Sequence, residues 1–103
     1  MKGLGNLIKH AERLRAEIAN IQEGVATKKV EASAGGGMVT VVCNGRGEVL
    51  SVRIDPEVVQ TEELDLLQDL IVAATNEALR KSRDLLTQEI SRLTGGLNLA
   101  GLI

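Results

Sequence analysis

The chain has 103 residues, a net charge of −2 and 44% hydrophobic residues, enough for one domain with its own core. It contains no Phe, Tyr or Trp, which argues against a reader of single-stranded nucleic acid that stacks bases on aromatic rings. Its single Cys cannot form an internal disulfide, and no apolar run is long enough for a transmembrane helix.

The first predicted element is a helix over Leu4–Glu23. Apolar residues recur at intervals of three and four, so they share one face, and charged residues occupy the opposite face. Gly24 follows directly and is a typical helix stop. The apolar face consists of Leu4, Leu7, Ala11, Leu14, Ile18 and Ile21.

Three strands are predicted next, as an antiparallel meander. Three consecutive glycines, Gly35–Gly37, turn the chain after the first strand, and Asn44-Gly45 is the strongest short hairpin signal. Two adjacent apolar residues early in the third strand interrupt its alternation, which predicts a β-bulge there. The predicted strands are Lys28–Ser33, Met38–Cys43 and Gly47–Ile54, and Pro56 then opens a short turn.

The last predicted element is a long helix over Thr61–Leu93, which contains no Pro or Gly. Thr61 is predicted as its N-cap, with acidic residues against the positive end of the helix dipole. A helix of about thirty residues is roughly 45 Å long, whereas a domain of about 100 residues is only about 35 Å across. The overhanging Leu86, Ile90 and Leu93 need cover, which predicts contact with the first helix and a homodimer.

These elements define an α+β fold with an N-terminal helix, a three-stranded antiparallel meander and a long C-terminal helix. Residues 1–94 form a single domain in this interpretation. Residues 95–103 form an apolar tail that contains glycine, and it is expected to be flexible or packed on the partner subunit.

The chain offers little catalytic chemistry. His10 is the only histidine and lies beside the apolar face of its helix, so a solvated or boundary role is expected. Cys43 alternates with Val39 and Val41 and is expected to be a small buried hydrophobe. One Cys and one His make no metal site by themselves, and the glycine-rich segments precede strands rather than helices. We therefore expect no enzyme, no metal, no cofactor and no small-molecule substrate.

Charge is unevenly distributed along the chain. Residues 1–34 carry a net charge of +2, residues 35–76 carry −5 and residues 77–103 carry +1. If the first helix packs antiparallel to the end of the long helix, its basic residues lie near Arg92 and form a basic tip. Within the long helix, Arg80 is expected to pair with Asp84, and Lys81 with Glu77.

The chain resembles the YbaB/EbfC family over nearly its whole length. The matching segments are Lys2–Lys9, Gly35–Met38, Val41–Gly45, Val52–Pro56 and Leu66–Lys81. The resemblance implies an intertwined, tweezer-like homodimer in the bacterial cytoplasm and nucleoid, with projecting helix ends. It also implies binding of double-stranded DNA, with effects on DNA conformation, nucleoid organisation and gene regulation.

Two hypotheses about function follow. The first is a DNA-binding, nucleoid-associated homodimer that contacts phosphates through basic side chains. The second is a structural or protein-interaction dimer that does not bind DNA; the overall acidity favours it, whereas the basic ends and the resemblance favour the first. The candidate DNA-binding residues, chosen by charge placement, are Lys2, Lys9, Arg13, Arg80, Lys81, Arg83 and Arg92.

Overall fold

The computed structural model describes residues 2–93, except for the side chain of Lys2. The predicted order of elements is confirmed, with every boundary within three residues of its predicted position. The predicted tail, residues 95–103, lies outside the described residues. The elements are α1 (Lys2–Val25), β1 (Lys29–Ala34), β2 (Val39–Asn44), β3 (Val49–Ile54) and α2 (Leu64–Leu93).

The start of α2 differs from the prediction. Thr61 is not its N-cap, because it begins a separate 3₁₀ turn, Thr61–Glu63, and α2 begins at Leu64. The N–H of Glu63 donates to the carbonyl of Gln60, three residues earlier, at 2.9 Å. This spacing is 3₁₀ geometry, so the chain tightens here before it becomes α-helical. Pro56 opens another 3₁₀ turn, Pro56–Val58, as its position predicted.

The core lies between the sheet and α2. The strand order is β1-β2-β3 with antiparallel pairing, so β2 is central. Val39, Val41 and Cys43 of β2 are fully buried on the side that faces α2, as the alternation predicted. Burial raises the pKa of the Cys43 thiol, consistent with a packing role. From α2, Ala74 and Ala78 contribute small side chains that let the helix lie close to the sheet.

The β2–β3 hairpin is confirmed, but its turn is not of the two-residue Asn-Gly type. Gly47, at φ 81°, has the left-handed conformation, and the N–H of Gly47 donates to the carbonyl of Asn44. This is a tight turn followed by a left-handed residue. The predicted bulge is also present, because Cys43 pairs with Val49 whereas Val42 pairs with Ser51.

Gly45 is required by packing rather than by backbone conformation. A Cβ at this position would lie 2.6 Å from the carbonyl oxygen of Val25 and closer still to the Val25 Cβ. The Gly45 N–H donates to that same carbonyl at 2.9 Å. The hairpin therefore approaches the end of α1 more closely than any side chain would permit.

Replacing Gly45 with alanine should lower the free energy of unfolding by about 2 kcal/mol, a typical cost of overpacking. Chemical denaturation at a fixed protein concentration measures the effect. The matched control is Gly24→Ala, because Gly24 lies in α1 with open space around its Cα. That control should be neutral or slightly stabilising. Equal stability of the two variants would contradict the packing explanation.

The molecule is much longer than a compact domain of its size. Its longest dimension is 70 Å and its radius of gyration is 19.1 Å, against about 13 Å for a compact chain of 100 residues. The chain leaves α1 at Val25, beside the same turn that Ser82 of α2 contacts. From there α1 extends toward the C-terminal end of α2, and it continues past that end. α2 itself has 30 residues, so the predicted long second helix is confirmed.

Only the C-terminal part of α1 is covered in the described structure. Ile18 and Ile21 are half-buried and Val25 is buried, and the last turns of α2 provide cover. By contrast, every residue from 3 to 16 is exposed. We call residues 3–16 the α1 projection, a length of about 21 Å at 1.5 Å per residue.

The third strand also lacks cover. Val52 and Ile54 of β3 pair with Val41 and Val39, so they lie on the side of the sheet that faces α2. However, α2 packs on β1 and β2, and Val52 and Ile54 remain 42% and 37% exposed. A single helix is about 10 Å wide and covers roughly two strands spaced 4.8 Å apart. The inner side of β3 is therefore an exposed apolar surface.

Candidate nucleic-acid interface

The α1 projection carries two of the predicted cations on one face. Lys9 and Arg13 are four residues apart, so they lie one above the other, opposite the apolar residues of α1. Both are exposed, and neither makes an ion pair within the described part of the chain. Lys2 is the first residue of α1, but its side chain is outside the described structure.

The acidic residues nearest to this face leave the two cations unneutralised. Glu12 is three residues from Lys9, and Glu17 is four residues from Arg13, at spacings that permit ion pairs. Their carboxylates nevertheless form no salt bridge with these two residues among those described. Lys9 and Arg13 consequently keep their donors available for an external anion.

Arg80, in contrast, is neutralised on its own helix. Its guanidinium pairs with the carboxylate of Glu77 and, at 2.9 Å, with that of Asp84, which confirms the predicted Arg80–Asp84 pair. The hydrogen bond from Arg80 lowers the pKa of the Glu77 carboxyl, and the same bond raises the pKa of Arg80. One cation held between two carboxylates offers little attraction to a phosphate.

Lys81 does not pair with Glu77, and that prediction is wrong. Its ammonium group donates instead to the backbone carbonyl of Glu31 in β1, at 2.8 Å. The reason is tertiary, because α2 lies across β1 and places this side chain beside the strand. Lys81 thus ties the helix to the sheet.

Arg92 is partly compensated at the end of α2. Its guanidinium lies 3.3 Å from the carboxylate of Glu89, which also accepts a hydrogen bond from Lys28 at 3.0 Å. The bond from Lys28, with a smaller contribution from Arg92, lowers the pKa of the Glu89 carboxyl. Arg83 is exposed and has no side-chain partner among the described residues.

The seven predicted residues do not form one patch within a single chain. The structure places Lys9 and Arg13 on the α1 projection, Arg80, Lys81 and Arg83 along the middle of α2, and Arg92 in its last turn. Charge pattern alone did not single out three other exposed cations without ion pairs among the described residues, Arg15, Lys29 and Arg46. For Arg46 the signal was its place between two glycines of a turn.

The opposite end of the molecule is strongly acidic. Between Arg53 and Arg80 the sequence contains no Lys or Arg. This segment includes the two 3₁₀ turns and the first half of α2. A polyanion is repelled from this end and attracted to the other. The acidic residues are Asp55, Glu57, Glu62, Glu63, Asp65, Asp69 and Glu77.

Other kinds of site find no support among the described residues. Within residues 2–93 no group of three or more His, Cys, Asp or Glu side chains could hold a metal ion. None of the helices in that range is long and apolar enough to cross a membrane. His10 is exposed on α1, as expected from its position.

Comparisons with known proteins agree with this geometry. Residues 1–97 match the model of the YbaB/EbfC DNA-binding family. A nucleoid-associated protein of Syntrophobacter fumaroxidans is 54% identical over 97 residues, which cover 94% of this chain and 88% of that protein. A nucleoid-associated protein of Acetivibrio thermocellus is 50% identical over 94 residues, covering 91% of this chain and 83% of the relative.

A solved structure supports the fold. The crystal structure of an uncharacterized protein from Helicobacter pylori matches with a TM-score of 0.73 and 22% identity. The match covers 91% of this chain and 96% of that one. At this identity the similarity shows a shared fold, so the arrangement of two helices around a three-stranded sheet is not peculiar to this sequence.

Proposed function

Because the chain belongs to the YbaB/EbfC DNA-binding family, we propose that it is a nucleoid-associated protein that binds double-stranded DNA as a homodimer. Its roles are in nucleoid organisation and gene regulation, and its place is the nucleoid. The observation that carries this proposal is the cationic face of Lys9 and Arg13 on the α1 projection, which is exposed and forms no ion pair among the described residues. The matched family is a DNA-binding family and not a class of enzymes.

Binding depends mainly on phosphates in this proposal. Lysine and arginine that neutralise phosphates release condensed counterions, which gives affinity without sequence preference. Lys9 and Arg13 make the principal contacts, with Lys2, Arg83 and Arg92 as further candidates. Arg80 and Lys81 contribute less, because they are already engaged within the chain. Since the chain has no aromatic residue, bases are read by Arg, Lys, Asn or Gln side chains or through DNA shape.

The homodimer is supported by the uncovered side of the sheet. The exposed apolar side chains of β3 are Val49, Leu50, Val52 and Ile54. On α2, Leu64 and Val72 are exposed as well. Contiguous apolar surface of this kind is typical of an interface. A second copy of the chain is the occupant we propose, because the surface is apolar and can be self-complementary around a two-fold axis.

Dimerisation would also place two α1 projections in one molecule. In a dimer with its two-fold axis near β3, each protomer contributes one α1 projection and one acidic end. Two weak phosphate-binding arms on one rigid body act together, so the second contact forms at a high effective concentration. A monomer would retain one arm and lose this gain.

The test is a titration of the nuclease-treated protein into a labelled random duplex, followed by fluorescence anisotropy at several salt concentrations. We expect affinity to fall steeply with salt, by a slope of about 0.9 for each neutralised phosphate. No binding at low salt, to random duplexes or to duplexes selected from a random pool, would contradict the proposal.

The acidic end supports a second candidate function, a protein-interaction dimer without DNA binding. Six carboxylates, from Asp55 to Asp69, lie in one short segment without a cation. A basic protein partner fits such a surface by charge. Recovery of a stable complex that charge reversal of this segment abolishes, together with no DNA binding, would favour this candidate.

A further inference from the structure

The turn between β2 and β3 is held by an unusually complete set of hydrogen bonds. The buried side chain of Asn44 accepts from the backbone N–H of Arg46 at 3.0 Å and of Glu48 at 3.1 Å. Its amide also donates to the carboxylate of Glu48 at 3.0 Å. Together with left-handed Gly47, these bonds fix the backbone on both sides of Arg46.

The same turn is fastened to both helices. The hydroxyl of Ser82 in α2, itself buried, donates to the carbonyl of Asn44 at 2.8 Å. The N–H of Gly45 donates to the carbonyl of Val25 at the end of α1. The turn is therefore a rigid point where the sheet, α1 and α2 meet.

Arg46 is the exposed residue at this rigid point. Its guanidinium makes no hydrogen bond or ion pair within the described residues, and the nearby Glu48 is engaged by Asn44. Arg46 borders a concave surface with Gln22, Val25 and Leu86, where α1 leaves the sheet. Arg83, also unpaired among the described residues, follows Ser82 directly and lies at the same level of the long axis.

We propose that Arg46, assisted by Arg83, is a second phosphate-binding site at the root of the α1 projection. The inference rests on the proposed DNA binding and adds a contact that charge pattern did not select. An arginine whose backbone is already fixed loses less conformational freedom on binding than one on a mobile loop. The hydrogen-bonded turn thus has a use beyond stability, since it presents a cation in a set position.

The position of this site along α1 can be compared with the dimensions of a duplex. From Lys9 to Val25, where the turn is attached, α1 rises by about 24 Å at 1.5 Å per residue. Phosphates of one DNA strand advance by about 3.4 Å per base pair along the duplex axis, so this distance corresponds to roughly seven base pairs. Arg46 lies beside Gln22 and Val25 on the apolar side of α1, and Lys9 and Arg13 lie on the opposite side. The root cluster (Arg46 and Arg83) therefore contacts DNA backbone separately from the projection.

The experiment compares the salt dependence of duplex binding for the native dimer and for Arg46→Gln. Glutamine keeps the backbone N–H that Asn44 binds, so the turn is retained. In a dimer, two lost contacts should reduce the slope by about 1.8 and lower the affinity by roughly tenfold at low salt. Adding Arg83→Gln should reduce both further. Unchanged thermal unfolding shows that the fold is intact.

The matched control is Arg53→Gln. Arg53 is exposed on β3 and lies 3.6 Å from Glu31, so the change removes the same charge from a different surface. It should leave the slope nearly unchanged. An unchanged slope for Arg46→Gln, when charge reversal of Lys9 and Arg13 weakens binding, would overturn this inference and leave the proposed function standing. No binding by the native protein would overturn both.

Discussion

Replacing both Lys9 and Arg13 with glutamate is expected to lower the affinity for a random duplex by about 100-fold at roughly 0.1 M salt. The change removes two cations from each protomer and adds two anions that repel phosphates. Both side chains are exposed and form no described ion pair, so the substitution breaks no internal contact. Fluorescence anisotropy measures the affinity, and light scattering should show an intact dimer.

The matched control for that result is Arg15→Glu. Arg15 is an exposed residue of the same helix, but it lies close to the apolar side, well away from the Lys9–Arg13 face. Reversing this charge should weaken binding far less. Because Arg15→Glu changes half as much charge, a loss of half as much binding free energy would show that binding responds to net charge and not to this face. If neither loses affinity, the α1 projection is not the DNA-binding surface.

Replacing Val52 and Ile54 with aspartate should convert the proposed homodimer to monomers. Both side chains point to the α2 side of the sheet and are exposed in the single chain, so a carboxylate there is tolerated by a monomer. In a dimer it would be buried without a partner, which costs several kcal/mol. Size-exclusion chromatography with light scattering measures the mass.

The control uses the other face of the same strand. Ser51 alternates with Val52 and pairs with Val42, whose side chain lies on the side away from α2. Ser51→Asp should remain dimeric. The monomeric variant should also bind DNA more weakly, since it loses the second arm. A double-aspartate variant that remains a dimer would show that the interface lies elsewhere and would remove the proposed role of β3.

The charge asymmetry links these results. The cations of the α1 projection lie toward one end of a 70 Å molecule, and the carboxylates of the acidic segment lie toward the other. Salt should affect binding strongly, because the attraction is between exposed charges and is screened beyond about 10 Å at 0.1 M salt. In the proposed dimer, repulsion from phosphates should keep the acidic ends away from the DNA.

Much of the architecture follows from the sequence alone. The apolar period of α1, the alternation in β2 and the absence of Pro and Gly from α2 are local patterns, and each element formed where they predicted. The bulge in β3 and the buried Cys43 followed from alternation in the same way. The length of α2 indicated an extended molecule, because helix length depends only on residue number.

Whether each basic side chain has a partner within the chain depends on the tertiary structure. Lys81 was expected to pair along its helix, yet it reaches a carbonyl of β1. Charge pattern did not select Arg46, and the attachment of its turn to Val25 and Ser82 fixes its backbone. It is thereby held as an exposed charge without an ion pair among the described residues. Local patterns determine secondary structure through short-range backbone preferences. Partners of long charged side chains depend on which elements pack together, so they emerge only when the chain is folded.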